Sequence, residues 1–449
     1  MRLDFLREVF LEFASEEAVV ADEGASTFAA LLAGMDASGT KLRQAGVGSG
    51  SVVALEADFG ADSIAHLLAL IELDTVAVPL SPAAEPQKAQ LLEIAQVEFT
   101  IQWTTGSEAQ VSPTGRRADH PMYAQLRDLG HPGLILFTSG YTGAPKAAVH
   151  DCVRLLAKYR IRRHRLRTLT FLLFDHIGGV DTLLQALSNG CAVVIPRERT
   201  PDAVCEAIQR HRVEVLPAAP SFLGLLLLSE AHRRYDLSSL RYITYGAEVM
   251  PQATLTRLSE AFPGVTLLQK YGLTELGTLR SQSRSRDSLW VRVGGEGYET
   301  RVVDGKLEIK AESSMLGYLN APSPFSEDGW FRTGDAVEVE GEFLRILGRA
   351  SDLINVGGLK VYPAEVETVI QEVENVREVA VTGEPHPFTG HVVVATVQLD
   401  HPEDPRTMEK RVRDHCRQRL ASHMVPVRVR VTDASLHSER QKLRRQPSP

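Results

Sequence analysis

The segment TSGYTGAPK at positions 138–146 combines glycines, hydroxyl groups and a lysine, which together could bind phosphate. Gly140 and Gly143 permit tight turns and let the backbone come close to an anion. Lys146 adds a fixed positive charge that suits the β- and γ-phosphates of a nucleotide. The segment is not a Walker loop, because Ala and Pro follow Gly143 where that motif has Lys and then Ser or Thr. Further hydrogen-bond donors are the hydroxyl groups of Thr138, Ser139 and Thr142.

Four segments further along the chain carry additional groups suited to a nucleotide. They are YGAE at 245–248, YGLTE at 271–275, FRTGD at 331–335 and GRASDLINVGGLKVYPAEVE at 348–367. A glycine- and hydroxyl-rich turn alone is most often an ordinary loop, so the weight lies in the order and spacing of all the segments. In that order they resemble the motifs of the acyl-adenylate-forming superfamily, which includes acyl-CoA synthetases, peptide-synthetase adenylation domains and beetle luciferases. The resemblance covers nearly the whole chain.

The resemblance implies a site for ATP and Mg²⁺. Glu275 is expected to be a Mg²⁺ ligand, with Thr274 beside the phosphates, and hard oxygen ligands suit that ion. Asp335 is expected to accept hydrogen bonds from both ribose hydroxyls, and Arg349 to contact the same sugar. Each of these residues alone would more often be a solvent-exposed charge, and the ordered motifs change that interpretation. The other expected nucleotide contacts are Gly246, Ala247, Glu248, Tyr271 and Gly272.

A lysine near the C-terminus is the expected catalytic cation. In the family this lysine usually stands in a GKxxR setting and contacts the carboxylate and the α-phosphate during adenylation. The corresponding segment is QKLRR at 441–445, so Lys442 is the candidate, with Gln441 in place of the glycine. A basic tail of this kind is also typical of a solvated terminus.

Three positions depart from the family pattern. Tyr141 stands where the phosphate loop usually has Thr or Ser, and Ala147 where it usually has Gly. Ser351 aligns with the Asp or Lys at which the small domain pivots. A hinge has only to absorb a change in backbone dihedral angles, which Ser can do. We therefore expect a rotation that exchanges Lys442 for the loop 355–360 after adenylation.

The choice of acid is expected to depend on the segment FDHIGG at 174–179. Asp175 aligns with the Asp that peptide-synthetase domains pair with an amino group, whereas His176 aligns with a His near the acyl pocket of ligases and luciferases. Buried polar groups are normally satisfied inside a protein, which favours internal hydrogen bonds for Asp175 over a substrate ammonium. Gly178 and Gly179 are expected to leave room beneath the adenylate. By resemblance, the other pocket residues are Phe222, Tyr245, Gly246, Ala247, Tyr271, Leu273 and Gly277.

The run RIRRHRLR at 160–167 is the strongest local cluster of positive charge. It could meet the phosphates of CoA or of a phosphopantetheine arm. A solvated helix face is the favoured interpretation, because charge runs usually face water.

Strands and helices that would position these motifs alternate through the first 275 residues. Segments 51–55 and 75–80 are typical of buried strands, and the apolar stretch 63–73 between them is typical of a helix. That succession favours a parallel sheet with crossover helices. Later strands of the same kind are predicted at 134–137, 192–195, 213–216 and 242–245. Antiparallel hairpins, marked by DG and GE turns, are predicted within 300–310 and 336–347.

A smaller unit is predicted after residue 350. Pro363 opens a helix there, and strands are predicted at 376–382 and 391–399. We therefore expect an α/β fold in which residues 1–350 form a large adenylate-forming region of several subdomains, with layered sheets and a β-rich portion. Residues 351–449 are expected to form a mobile α+β domain, with the active site in the cleft between the two.

Composition narrows the class of protein and its partners. The length of 449 residues exceeds that of one ordinary domain, and a net charge of −8 gives no positive field for nucleic acid or an anionic membrane. Cys152, Cys191, Cys205 and Cys416 lack metal-site spacing and are expected to be reduced and buried. Neither a signal peptide nor a bilayer-spanning apolar run is recognisable, so we expect a cytoplasmic protein, monomeric or homodimeric.

The expected reaction is activation of a carboxylic acid by ATP to an acyl-adenylate with release of pyrophosphate. Transfer to the thiol of CoA or of a carrier-protein phosphopantetheine would follow, which makes an acyl carrier protein a possible partner. Amino-acid loading onto a carrier protein and transfer to a non-thiol acceptor are alternatives. A nucleotide- or acyl-adenylate-binding homologue without turnover is a third, motivated by Tyr141 and Gln441.

Overall fold

The computed structural model describes residues 2–103, 108–139, 145–434 and 436. Gly140, Tyr141, Thr142 and Gly143 of the predicted phosphate loop, together with Gln441 and Lys442, lie outside these residues. The helices are α1 (Asp4–Glu12), α2 (Phe28–Gln44), α3 (Ala61–Glu72), α4 (Lys88–Ile94), α5 (Pro121–Leu129), α6 (Cys152–Leu156), α7 (Ile177–Ser188), α8 (Pro201–His211), α9 (Pro220–Leu228), α10 (Ala231–Arg234), α11 (Gln252–Ala261), α12 (Pro363–Ile370) and α13 (Pro405–Arg419). Short 3₁₀ helices lie at Pro82–Gln87, Ala157–Arg160, Ala350–Asp352 and Ser422–Met424.

The strands of the described residues make up four large sheets and one short pair. They are β1 (Glu17–Ala21), β2 (Gly24–Thr27), β3 (Val52–Glu56), β4 (Val76–Leu80), β5 (Phe99–Gln102), β6 (Gln110–Pro113), β7 (Gly133–Ser139), β8 (Pro145–Asp151), β9 (Thr168–Leu169), β10 (Val193–Val194), β11 (Val215–Ala218), β12 (Tyr242–Tyr245), β13 (Thr266–Gln269), β14 (Gly272–Leu273), β15 (Gly277–Thr278), β16 (Ser281–Ser283), β17 (Trp290–Val293), β18 (Tyr298–Val303), β19 (Lys306–Ala311), β20 (Gly317–Tyr318), β21 (Phe331–Glu340), β22 (Phe343–Arg349), β23 (Ile354–Val356), β24 (Leu359–Val361), β25 (Val376–His386), β26 (Gly390–Leu399) and β27 (Arg428–Val431).

Two seven-stranded sheets form the first part of the molecule. The first has the order β13-β12-β11-β9-β10-β1-β2 and is parallel except at β2, and the second has the order β20-β8-β7-β4-β3-β5-β6. In the second sheet β7, β4, β3 and β5 run parallel, as predicted from the alternation of strand and helix, while β8 turns back antiparallel to β7. Apolar residues of α1, α2, α3 and α7 fill a shared core between the sheets. Because parallel strands are buried on both faces, their sequences are continuously apolar.

An antiparallel sheet, β16-β17-β22-β21-β19-β18, follows in the chain. It contains both predicted hairpins, β18 with β19 and β21 with β22. The register of the second hairpin places Asp335 opposite Arg349, two residues predicted to serve the same ribose.

The last sheet consists of β24, β23, β26, β25 and β27, with α12 and α13 packed on it. Pro363 is at the first turn of α12, where its missing N–H costs nothing, and Val366 and Ile370 are fully buried against the sheet. This arrangement of elements gives the α/β layers followed by an α+β unit that the sequence predicts. The boundary between residues 350 and 351 stays a prediction.

Candidate functional site

Asp335 is the most deeply buried carboxylate among the predicted nucleotide contacts. It is 6% exposed, and its two oxygens have different partners. Tyr271 Oη donates to Oδ2 at 2.6 Å, and Arg349 Nε lies 3.0 Å from Oδ1. Arg349 also donates to the Thr333 carbonyl at 2.6 Å, which fixes the guanidinium over the hairpin. The sequence motifs FRTGD and GRASD are therefore joined through this ion pair.

Burial governs the protonation of this group. It raises the pKa of the Asp335 carboxyl, and the Arg349 guanidinium opposes that rise. Burial likewise raises the pKa of Tyr271 well above its ordinary value of 10.0, so the phenol remains a donor. A carboxylate with one anchored cation and one neutral donor retains acceptor capacity for ligand hydroxyl groups.

One tyrosine, Tyr318, contacts both Glu275 and Lys146, which lies on β8. The Tyr318 hydroxyl donates to Glu275 Oε1, and Lys146 Nζ lies 5.4 Å from the centroid of the Tyr318 ring. Burial raises the pKa of Tyr318, which keeps its hydroxyl protonated. A second link comes from Asn320, whose side chain accepts from the Ala147 N–H at 3.0 Å and donates to the Pro145 carbonyl at 2.8 Å. Residues 318–320 thus support both the strand after the phosphate loop and the predicted metal ligand.

His150, also on β8, fixes the neighbouring motif. The ring is completely buried, and its Nε2 donates to the Thr274 carbonyl at 2.7 Å. Burial lowers the pKa of His150 to about 4, so the ring is neutral near neutral pH. One strand therefore carries Lys146 and also holds the backbone beside Glu275.

The YGAE segment turns sharply at the end of β12. A Cβ on Gly246 would lie 2.5 Å from the Lys270 carbonyl oxygen, so only glycine allows this close approach. Ala247 has a φ of 69°, which is uncommon for a residue with a side chain. Glu248 accepts a hydrogen bond from the Ser221 N–H at 3.1 Å. Residues 246–248 are thereby held in a fixed turn next to residues 270–272.

A cavity of about 310 Å³ lies at this turn and is named here the Asp335 cavity. One side is formed by predicted nucleotide contacts and the other by α12 and the start of β25, so it lies between the large region and the C-terminal unit. Ser351, the predicted pivot, is exposed in the 3₁₀ turn between the two. Thr138 and Lys146 are not among its wall residues within the described chain. The predicted contacts in its wall are Ala247, Glu248, Tyr271, Gly272, Leu273, Asp335 and Arg349.

A second cavity, of about 340 Å³, lies on the other side of the turn and is named here the Lys270 cavity. Its wall includes His176, Gly178, Asp181, Tyr245 and Lys270. The two cavities share Ala247, Lys270 and Gly272, so a ligand could extend from one into the other past this common wall.

Comparison with known proteins identifies the family. Residues 6–319 match the model of the AMP-binding enzyme family, and residues 365–442 match the AMP-binding enzyme C-terminal domain. The chain belongs to the AMP-binding enzyme family. The resemblance inferred from the motifs is confirmed.

Known relatives of this AMP-binding enzyme include ligases. Indoleacetate–CoA ligase of Aromatoleum aromaticum is 33% identical over 293 residues, and the alignment spans 59% of this chain and 57% of that ligase. The crystal structure of the anthranilate CoA ligase AuaEII in complex with anthranoyl-AMP has a TM-score of 0.83 at 21% identity, over 99% of this chain and 95% of that one. The amide bond synthetase McbA from Marinactinospora thermotolerans has a TM-score of 0.77 at 25% identity, over 99% and 98% of the two chains. The predicted fold class is confirmed.

Asp175 is held by the protein itself. Its Oδ2 accepts from the Ser81 hydroxyl at 2.9 Å and from the Ser81 N–H at 3.3 Å. Of the two alternatives for Asp175, this geometry favours internal hydrogen bonding. His176 caps α7 by accepting from the Gly178 N–H at 3.0 Å and, unlike Asp175, lines the Lys270 cavity.

Several predicted pocket residues do not line the Lys270 cavity, and their place in the acyl pocket stays a prediction. A Cβ on Gly179 would lie 2.0 Å from the Leu173 carbonyl oxygen, so this glycine permits backbone packing and does not provide ligand space. Phe222 is fully buried with its ring centroid 4.2 Å from that of Phe171, as part of the core. Gly277 lies in the short pair β14–β15, with a φ of 79° that glycine tolerates. Neither Asp175 nor these three residues belong to the wall of either cavity within the described chain.

The basic run is mostly neutralised by acidic residues of the N-terminal segment. Ion pairs join Arg162 to Glu12, Arg165 to Glu16 and Arg167 to Glu17. Arg163 instead lines the mouth of the Lys270 cavity. The favoured interpretation of a solvated helix face is wrong about the helix, because residues 161–167 are irregular, although most of these arginines do lie at the surface.

Sequence reasoning missed four residues of the site: Tyr318, Asn320, His150 and Lys270. Tyr318 and Asn320 lie in GYLN and contact the motifs only after the chain has folded back on β8. Lys270 directly precedes YGLTE. Alternate residues of a strand face the same side, and Leu268, two residues earlier, lines the same cavity as Lys270. The described residues contain no cluster of three or more metal-ligating side chains and no helix long and apolar enough to cross a membrane.

Proposed function

We propose that this AMP-binding enzyme activates a carboxylic acid with ATP and then transfers the acyl group to a thiol. The observation that carries the proposal is the buried Asp335, held by Tyr271 and Arg349 at a cavity that continues past a shared wall into a second one. Such a pair of cavities suits a ligand with a polar sugar at one end and an acyl group at the other.

In the first half-reaction, a carboxylate oxygen of the acid attacks the α-phosphorus of ATP. The bond from that phosphorus to the bridging oxygen breaks, and pyrophosphate leaves with the electron pair. The protein's task is orientation and charge stabilisation. Asp335 and Arg349 would hold the ribose, residues 246–248 and 271–272 would enclose the base, and Lys146 would bind the departing phosphates with Thr138 and Ser139. Lys442 would approach the reacting carboxylate, with Ser351 as the pivot.

Mg²⁺ would fit at Glu275. The ion is usually bound through one or two carboxylates together with substrate phosphates and waters, so a single carboxylate is a suitable donor set. Glu275 has one oxygen occupied by the Tyr318 hydroxyl, which orients the carboxylate, and Thr274 lies beside it. The ion would neutralise phosphate charge there.

In the second half-reaction, the acceptor's sulfur attacks the acyl carbon, and the bond to the AMP oxygen breaks. CoA is the favoured acceptor because one relative is an indoleacetate–CoA ligase. A carrier-protein phosphopantetheine would present the same thiol. Rotation at Ser351 would bring the loop 355–360 to the site for this step.

A non-thiol acceptor is a second candidate. The likeness to the amide bond synthetase McbA favours it, because that similarity extends over nearly all of both chains. An amine would then attack the same acyl carbon. Amino-acid loading is less favoured, since Asp175 already accepts hydrogen bonds from Ser81 and lies in neither cavity wall within the described chain.

The test is a pyrophosphate-release assay on a panel of carboxylic acids, with hydroxylamine to trap the acyl-adenylate as its hydroxamate. Parallel reactions with CoA or with simple amines identify the acceptor by the product formed. We expect pyrophosphate that depends on the acid, and a thioester with CoA. ATP binding without pyrophosphate from any acid would instead support a binding protein without turnover. Adenylation that is unchanged in Lys442→Ala would contradict the role proposed for Lys442.

A further inference from the structure

Lys270 brings a positive charge into the wall of the cavity that would accept the acyl group. It is half-buried and follows β13, with its backbone N–H donating to the Tyr245 carbonyl at 2.7 Å. Within the described residues, its ammonium group has no hydrogen bond and no ion pair. Burying an unpaired ammonium is costly, so a residue of this kind calls for an anionic partner.

Among the described residues of this wall, the one carboxylate, Asp181, already has partners. Asp181 accepts hydrogen bonds from Lys158 Nζ and from the Tyr159 hydroxyl, the latter at 2.6 Å, both on Oδ1. Lys158 is fixed further by donating to the Thr278 carbonyl at 2.8 Å. Burial alone would raise the pKa of Asp181, and the Lys158 ammonium turns the net shift downward, so the pair is ionised. Asp181 is therefore already engaged by Lys158 and Tyr159, and its attraction for the Lys270 ammonium is opposed by the like charges of Lys158 and Arg163.

Arg163 adds to the excess of positive charge. It lines the mouth of the Lys270 cavity, and its guanidinium forms no ion pair with the described residues, in contrast to its neighbours Arg162 and Arg165. Arg163 is near enough to contribute to the lowering of the pKa of Lys270, although burial contributes most. His164 in the same wall adds no negative charge.

The Tyr245 hydroxyl is a further polar group at this position. Its residue is 1% exposed, and the described chain offers the hydroxyl no hydrogen-bond partner. Buried hydroxyls are normally bonded, so a ligand oxygen in the cavity would satisfy it.

We propose that Lys270, assisted by Arg163, binds a second anionic group at the far end of the acid, so that the preferred substrates are dicarboxylic or sulfonated carboxylic acids. This inference rests on the proposed activation of carboxylic acids. Since Lys270 is in the wall shared by both cavities, contact with the adenylate phosphate is the competing role, and it predicts a different result.

The experiment compares pairs of acids that differ only in the distal group, such as phenylacetate with 4-carboxyphenylacetate and hexanoate with adipate. We expect the wild-type protein to prefer the doubly anionic member of at least one pair. In Lys270→Met, a side chain of similar length without charge, the ratio of kcat/KM between the two members should fall by about tenfold or more, mainly through KM. Lys270→Arg should retain most of the ratio, and the exposed Lys306→Met is the matched control.

The outcomes separate this inference from the proposed function. An equal loss in Lys270→Met for both members of each pair would assign Lys270 to the adenylate and overturn the inference. A ratio that does not change would overturn it as well. If no acid releases pyrophosphate, the proposed function fails, and thermal protection by the doubly anionic acid alone then tests the inference. Protection of the wild type but not of Lys270→Met would uphold it, and equal protection would refute it.

Discussion

The Asp335 cavity and the Lys270 cavity are adjacent but are built in different ways. The central ion pair of the first comes from one hairpin, whose register sets Asp335 opposite Arg349. The charges of the second come from separate segments, with Arg163 before β9, Asp181 on α7 and Lys270 after β13. In our proposal the first binds a constant partner, ATP, and the second a variable one, the acid. A ligand that stays the same can be bound by residues that lie close together in the sequence. A ligand that differs between enzymes is bound by residues from separate segments, which can be substituted independently.

Asp335→Asn should have the largest effect, and it should be the same for every acid. The change removes the charged acceptor for the ribose hydroxyls, and losing charge-assisted hydrogen bonds of this kind costs about 3 kcal/mol, or roughly a hundredfold in kcat/KM. Pyrophosphate release should be measured with each active acid. Glu338→Gln, an exposed carboxylate on the same strand β21, is the control. Losses that differ strongly among acids would mean that the two cavities do not act separately.

His150→Gln should change the stability of the nucleotide side with pH. The folded protein keeps the pKa of His150 at about 4, below the ordinary value of 6.5, so the unfolded chain takes up this proton first as the pH falls. The wild type should therefore lose about 3 kcal/mol of unfolding free energy between those pH values, and none above them from this residue. Gln can still donate to the Thr274 carbonyl but does not titrate. Urea unfolding should show that this variant loses less unfolding free energy as the pH falls than the wild type does. The exposed-site control His164→Gln should lose as much as the wild type.

Tyr318→Phe should lower kcat by about tenfold, because Glu275 loses the hydroxyl that orients it. The Mg²⁺ concentration needed for half-maximal rate should rise as well. Tyr362→Phe, which removes a hydroxyl outside both cavity walls, should leave both quantities unchanged. If a doubly anionic acid were affected more than its singly charged counterpart, Tyr318 would belong to acid selection.

The preference for doubly anionic acids should decrease as the pH rises. Burial lowers the pKa of Lys270 from its ordinary value of 10.5, so its positive charge disappears at a lower pH than that of an exposed lysine. The ratio of kcat/KM between paired acids should fall severalfold over the pH range in which Lys270 loses its proton. In Lys270→Arg the ratio should stay constant, because Arg remains charged. Taking the ratio cancels pH effects common to both acids. A preference that grows with pH would contradict the charge assignment.

Asp175→Asn should have the smallest effect on the choice of acid. Asn retains an oxygen that can accept from the Ser81 hydroxyl, so we expect a loss of about 1 kcal/mol in stability. The ranking of acids should not change. A selective loss of the variant's activity with amino-bearing acids would restore the alternative in which Asp175 binds a substrate ammonium.

The nucleotide side could largely be anticipated from the sequence because its groups lie in short motifs. The hairpin that contains Asp335 and Arg349 was expected, as were helix α12 and its buried face. The supporting contacts could not be anticipated, since His150 and Tyr318 reach Thr274 and Glu275 only through tertiary structure.

The acyl side was less accessible to sequence reasoning. A glycine can provide ligand space or permit close backbone packing, and the sequence alone does not distinguish Gly178, which lines the Lys270 cavity, from Gly179, which does not. The partners of the basic run lie about 150 residues earlier in the chain, as the separation of Arg167 from Glu17 illustrates. The sequence alone therefore could not distinguish Arg163 from the neighbouring arginines, which form ion pairs in the structure.

The close contact of Gly246 with the Lys270 carbonyl has a consequence for protein engineering. Because residues 247 and 272 lie in the wall common to both cavities, mutations at either position would alter nucleotide and acid binding together. Selectivity is better redesigned at Gln185, Tyr242 or Thr278, which line the Lys270 cavity alone. Libraries built at those positions would explore new acids while the adenylation machinery remains intact.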